Sequence, residues 1–471
     1  MADERRERDG ATNNTVKNPN DRKIKGVDNS IEDGDFISSM PDEILHHILT
    51  SIPTDLAIRT SVLSKRWRHV WCETPCLYIN DFRSQAINQT LNSYRAPTIM
   101  SFDLRMRLDH TAPQIDSWIS FAMSRNVQKL SVNFGIRNET YNFQDFFYLS
   151  SSLEQLNVSF NDMVPGCTVS WKSLKNLSLS FCKLGDESIA KILSGSPKLE
   201  SLRLYFCDSV HRLDLTKSLS LKTLEIVRSG SGNDSRQVEI IAPHIQYLRL
   251  KNSYPPCTLV NVSSLTEADL DSCSNIMYMY RYFSSRAEFV QTVVLKMLEN
   301  LENVEKLTLR RSVLQILSLA EVCGVPFPTL KVQTLIVKTM LVRSVMHGIA
   351  RLLQNSPGLK KLIVHATNSD IIPDMHLDHY MNSQGIYLYK CWRSEYKIFP
   401  RDGHFHHVTP ELLASLVKLV LRNAKPLETV VVRLFKPCSS QDAKLFEELT
   451  GMARTLSHNN NVSIVIKRSS D

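Results

Sequence analysis

The chain has 471 residues, 42% of them hydrophobic and 22% charged, a globular composition that excludes wholesale disorder. Such a length calls for about three compact domains or for one elongated array of repeats. Its 56 basic residues stand against 48 acidic ones, and the net charge of +8 is mixed along the chain, not gathered into a phosphate-binding stripe. Nucleic acid is therefore not an expected partner.

No run approaches the roughly 20 apolar residues of a membrane helix. The longest dense patch, Leu412 to Leu421, contains Ser415 and Lys418, so no membrane partner is expected either. The first residues, Met1 to Asp9, are charged where a secretory signal would be apolar. Ten cysteines are scattered without any Cys-x-x-Cys pair. Together these predict a soluble intracellular protein of the nucleus and/or cytoplasm.

Residues 1–34 mix charges with almost no large apolar side chains and read as a disordered tail. Two short basic clusters in it, Arg5–Arg8 and Arg22–Lys25, are diluted by acidic neighbours. The texture changes at residue 35. Met40-Pro41-Asp42-Glu43 opens a helix whose Ile44, Leu45, Ile48 and Leu49 share one face. Pro53 ends it, and Thr54 or Asp55 is positioned to cap a second helix through Leu56, Ile58 and Val62. Ser64 can cap a third, carrying Trp67, Val70 and Trp71. Three short helices make a marginal core, and this stretch holds more apolar side chains than it can hide. Some of them are expected to face a partner.

Phe36 through Trp71 resembles an F-box of the type found in the large plant F-box family. The resemblance rests on Met-Pro-Asp-Glu-Ile-Leu, Ile52-Pro53, Ser61-Val62-Leu63-Ser64-Lys65-Arg66-Trp67-Arg68 and Trp71. Met40 stands where the family more often has Leu, a volume-conserving change, and Leu56 replaces an often acidic residue.

Beyond residue 80 the pattern apolar-x-x-apolar-x-apolar recurs. The triplets are Ile99/Phe102/Leu104, Val127/Leu130/Val132, Leu153/Leu156/Val158, Leu174/Leu177/Leu179, Leu199/Leu202/Leu204 and Leu221/Leu224/Ile226, then Ile245/Leu248/Leu250, Leu265/Ala268/Leu270, Val304/Leu307/Leu309, Val332/Leu335/Val337 and Leu359/Leu362/Val364. Most begin 20 to 28 residues after the one before, a leucine-rich-repeat period, with one gap of 39. That gap is expected to hide a degenerate unit with a helix from about Ser284 to Leu301. Asn161, Cys182, Cys207 and Cys273 follow their triplets by three residues, where a side chain turns inward. Ile192–Leu204 parallels Leu352–Val364: a helix end, a Ser-Pro break and a strand. Strand, turn and helix per unit is the expected plan.

Residues 366–408 lose the pattern and read as an irregular insertion. Residues 409–471 read as helix, strand, helix and strand, a capping unit for the array. The expected fold class is thus an α+β / α/β solenoid: a three-helix F-box (35–80), a leucine-rich-repeat horseshoe (81–365) and a C-terminal cap.

No phosphate-loop, dinucleotide, zinc-protease or nucleophile-elbow motif occurs, so no catalytic residue, cofactor or metal is assigned. His404, His406 and His407, with His376 and His379 nearby, lack a Cys or acidic partner at ligand spacing and read as surface residues. The resemblance implies a non-catalytic subunit of a cullin–RING (SCF-type) ubiquitin ligase that joins a Skp-type adaptor to a protein substrate, itself unknown. On that analogy Met40, Pro41, Ile44, Leu45, Ile48, Leu49, Val62, Leu63 and Trp67 face or support the adaptor. Substrate is expected on the concave strand face, at Glu154, Asn157, Lys175, Ser178, Glu200, Arg203, Lys222, Glu225, Tyr247 and Arg249. Two alternatives stand beside this: a repeat scaffold whose F-box serves a complex without ubiquitin transfer, and an enzyme on an unusual α/β domain.

Overall fold

The computed structural model describes residues 40–468, apart from 81–82, 107–109, 137–140, 229–237, 253–256, 273–283, 311, 368–371, 387–395, 402–407 and 435–439. The expected tail, Cys273, His404, His406 and His407 lie outside the described residues.

Three helices open the described chain: Asp42–Thr50, Thr54–Arg59 and Trp67–Val70. The first follows Pro41 and carries Asp42 and Glu43 in its first turn, where the helix dipole favours negative charge. Ser64 Oγ accepts from the Trp67 amide at 3.3 Å in the turn ahead of the third helix, but the helix starts later than expected and Arg66, not Ser64, holds its N-cap position. The second cap differs as well. Pro53 holds the N-cap position, and Thr54 Oγ1 instead accepts from the Tyr78 amide at 2.7 Å, tying the helix to the strand beyond it. Proline supplies the start because its fixed φ suits the entry to a helix.

Strands then accumulate in chain order: β1 (Cys76–Asn80), β2 (Ser101–Arg105), β3 (Lys129–Asn133), β4 (Gln155–Ser159), β5 (Asn176–Ser180) and β6 (Ser201–Tyr205). After β7 (Arg212–Asp214) come β8 (Thr223–Val227), β9 (Val238–Ile241), β10 (Tyr247–Asn252), β11 (Cys257–Asn261) and β12 (Glu267–Ser272). The last are β13 (Lys306–Arg310), β14 (Thr334–Thr339), β15 (Lys361–Ala366), β16 (Thr429–Leu434) and β17 (Ser463–Arg468). Fourteen of them form one parallel sheet in chain order that skips β7, β9 and β11, and those three make a second sheet. In all eleven triplets the last two members lie on a strand of the large sheet and the first stands two residues ahead of it, and all are buried in one continuous core. This is the expected repeat solenoid.

The plan of strand plus helix holds only in part. Helices return the chain at Ser84–Ser93, Ala112–Ser124, Asp186–Ser194, Ser284–Asn300, Ser312–Val322 and Arg343–Gln354. In the middle units the return leg is instead a strand, β7, β9 or β11, because those segments alternate buried and open residues. Within the 39-residue gap lies the expected helix, Ser284–Asn300, and among the described residues no strand stands between β12 and β13, which pair directly. The sheet also reaches past the recurring triplets at both ends. β1 pairs with β2, and β15 pairs in register with β16 although residues 367–428 lie between them.

The Ser-Pro parallel is exact in its bonding. Ser196 Oγ donates to Ile192 O at 2.8 Å, and Ser356 Oγ donates to Leu352 O at 2.7 Å. Each hydroxyl thus occupies a carbonyl of the ending helix before the chain enters a strand. Asn161, Cys182 and Cys207 turn inward as expected. Asn161 Oδ1 accepts from the Tyr141 amide, while the two thiols lie against Val158 O and Leu179 O of the preceding strands. The residues just before them, Phe160, Phe181 and Phe206, all have φ between 54° and 60°. That left-handed step is what rotates the next side chain into the core. The three rings stack on one another with centroids 4.6 Å apart, which offsets part of the backbone strain.

Candidate functional site: the bundle face and the open sheet face

The bundle has its own small core of Leu45, Leu49, Ala57, Trp67, Val70, Trp71 and Cys72, with Met40, Ile52 and Ile58 packed against it. Arg66 closes it from outside, bonding Asp42 (3.0 Å from Nε) and the Met40 carbonyl. The nine residues expected to serve an adaptor therefore divide. Leu45, Leu49 and Trp67 are buried and hold the bundle together; Met40 is half-buried. Ile44 (48% exposed), Ile48 (42%), Val62 (88%) and Leu63 (63%) stand in solvent, as does Pro41.

Leu56, also 42% exposed, belongs with them and was not among the expected site residues. Its signal was an apolar residue at a position often acidic in relatives. Among the described residues fourteen large apolar side chains are exposed, and five lie between Ile44 and Leu63. Scattered single exposures need no explanation, but this density on so short a stretch marks an interaction surface.

The substrate residues also divide. Asn157, Ser178, Arg203, Glu225 and Arg249 lie on strands, at the outward positions between buried aliphatics, and Tyr247 opens its strand just before buried Leu248. Glu154, Lys175, Glu200 and Lys222 stand one residue before their strands, at the sheet's leading edge. There Lys175 Nζ pairs with Glu154 Oε2 at 3.0 Å, an open contact of small energetic weight.

Glu225 is not an open contact residue. Its carboxylate is enclosed by Arg203 (3.0 Å), the Tyr205 hydroxyl, which donates at 2.7 Å, and Arg249 (3.5 Å). Burial alone would raise this carboxyl, but the bonds from Tyr205 and Arg203 and the charge of Arg249 hold it below its usual value. Burial and the same carboxylate push the Tyr205 phenol up to about 12. Two strands on, Arg310 grips Asp269 with Nε at 2.7 Å and Nη2 at 2.5 Å. A fork of this kind is geometrically specific as well as strong. The middle of the face is thus a self-satisfied network of charges spaced by strand register.

Among the described residues no three His, Cys, Asp or Glu side chains come together as metal ligands. No helix of the described residues is long and apolar enough to cross a membrane.

A small helical bundle with an uncovered aliphatic face, set ahead of a parallel-strand solenoid, is the architecture of an F-box joined to leucine-rich repeats. A family model for the F-box domain matches residues 37–77, and one described as "At1g61320/AtMIF1, LRR domain" matches residues 94–386. The chain is 52% identical over 468 residues to the putative F-box/LRR-repeat protein At3g28410 of Arabidopsis thaliana, covering 95% of this chain and 96% of that protein. It is 49% identical over 453 residues to the F-box/LRR-repeat protein At5g02910 of the same plant, covering 93% and 96%. The chain belongs to the plant F-box/LRR-repeat protein family.

Proposed function

We propose that this protein is the substrate-recognition subunit of a cullin–RING ubiquitin ligase of the SCF type. Its bundle docks on a Skp-type adaptor, and its repeats hold a target protein. The observation that carries the reading is the set of exposed aliphatics Ile44, Ile48, Leu56, Val62 and Leu63 beside a bundle core that is otherwise closed. An interface of this sort takes its affinity from a few apolar anchors seated in a partner's groove. The chain itself would make and break no bond. By holding a target near a ubiquitin-charged enzyme it would raise the effective concentration of the target's lysines.

Co-purification with a Skp-type adaptor tests this, comparing wild type with Ile44→Asp plus Leu63→Asp. Both positions are open, so the melting temperature should hold while adaptor capture falls by about a hundredfold, two anchors at about 1.4 kcal/mol or more each. Leu45 is unsuitable for this purpose, because a charge at a fully buried position would unfold the bundle. Adaptor retained at wild-type level by the double variant would overturn the assignment.

A further inference from the structure

The open face changes character along the sheet. From β2 to β12 the residue after the last aliphatic of each unit is Arg105, Asn133, Ser159, Ser180, Tyr205, Val227, Lys251 and Asp271, so the two basic residues, Arg105 and Lys251, are far apart and Lys251 stands beside Asp271. On the five strands that follow β12, this column reads Arg310, Lys338, His365, Arg433 and Lys467. Register places the five side by side, at the interstrand spacing of about 4.8 Å, so the row extends over about 19 Å.

Arg310, at one end, is satisfied by Asp269. Among the described residues no carboxylate pairs with Lys338, His365, Arg433 or Lys467. The first three of these are half-buried, so water screens them incompletely. Burial, then Lys338, Arg433 and Arg310, push the His365 imidazole down to about 4. Burial and Arg310 likewise lower the Lys338 ammonium, with Asp269 opposing. Like charges are held together here at a cost that the free protein does not recover. Elsewhere on the face the buried carboxylates Glu225 and Asp269 are each matched by arginine.

We propose that this row seats an acidic segment of the target protein, its Asp or Glu carboxylates lying across β14 to β17 against Lys338, His365, Arg433 and Lys467. The inference rests on the receptor reading above and names the chemistry of its target. Lys338, Arg433 and Lys467, cations spaced along the row with the neutral His365 among them, complement carboxylates repeated along a chain; one compact anion would reach only one or two of them. Bound carboxylates would also return a proton to His365, since an opposite charge favours the imidazolium.

The test uses the full-length chain, with and without adaptor, and fluorescence anisotropy of a labelled peptide alternating Glu and Ser, beside its Gln–Ser counterpart. The Glu peptide should bind and the Gln peptide should not. Lys338→Gln plus Arg433→Gln should weaken binding at least about tenfold and flatten its salt dependence. Lys338→Arg plus Arg433→Lys, which keeps the charges, should retain binding and guards against a folding artefact. Unchanged affinity in the Gln variant, equal binding of the Gln peptide, or displacement by equimolar inorganic tripolyphosphate would each overturn the proposal, the last by showing a compact-anion site. Adaptor capture on the same samples separates the two readings. Intact capture without peptide binding removes the acidic-segment inference alone; peptide binding without capture supports the row and removes the adaptor assignment.

Discussion

Along the solenoid, every triplet aliphatic from Ile99 to Val364 is covered by its own chain, while in the bundle Ile44, Ile48, Val62 and Leu63 are left in solvent. The two regions use the same side chains under different geometry. A repeat unit has a neighbour on each side to close its apolar face, so burial accumulates with every strand added. The bundle has no such neighbour. Its short helices converge on Leu45, Leu49, Trp67 and Trp71, and what faces away from that point stays open. Exposure in the bundle is therefore a property of its size, and it leaves an apolar face open without a dedicated pocket.

The largest expected effect tests the closed part of the bundle. Trp67→Ala should cost about 3–5 kcal/mol of bundle stability in a denaturant melt, whereas Val62→Ala should stay within about 0.5 kcal/mol. Equal losses at the two sites would erase the distinction between core and face. Next comes the tightness of the solenoid. A Cβ on Gly348 would lie 2.3 Å from the Leu314 carbonyl oxygen on the neighbouring helix, so Gly348→Ala should cost about 1–3 kcal/mol and lower the melting temperature. Gly358, with nothing within 4 Å, is the matched control and should tolerate Ala.

A smaller loss is expected at the repeated helix ends. Ser196→Ala and Ser356→Ala should each remove about 1 kcal/mol, to similar extents, since each strips one buried hydroxyl bond. A large disparity would show that the two units are parallel in sequence only. The mildest effect is in pH. The His365 imidazole titrates near 6.5 when unfolded and at about 4 when folded, so the unfolded chain binds more protons in that window. Stability contributed by neutral His365 is complete above about 6.5 and is lost as pH falls toward 4. His365→Gln should make the melting temperature less sensitive to acid over that range, and an unchanged slope would show that burial and the neighbouring cations do not depress this imidazole.

Much of this was legible in the sequence because it is local. Each strand announces itself by aliphatics at fixed offsets, and the bundle by helical spacing of Ile44, Leu45, Ile48 and Leu49. What escaped depends on partners distant in the chain. β7 has three residues, too few to carry a period, and becomes a strand because β9 offers it a ladder. Thr54 looked like a cap and serves Tyr78. Which bundle aliphatics are open depends on how three helices pack, and spacing alone groups Leu45 with Ile44. The enclosure of Glu225 needed the cross-strand register, which sets Arg203 and Arg249 on either side of it. The cationic row needed the same register, together with one more column than the triplets themselves contain.

The in-register pairing of β15 with β16 across residues 367–428 has a consequence for how such a protein changes over time. Because alignment is set by strand meeting strand, the loops between them can lengthen, shorten or be replaced while the ladder stays where it was. Duplicating or deleting a unit would shift the spacing of charges on the surface by one rung and leave every remaining rung intact. Lineages can thus change the charge pattern of the sheet while the helical bundle stays untouched.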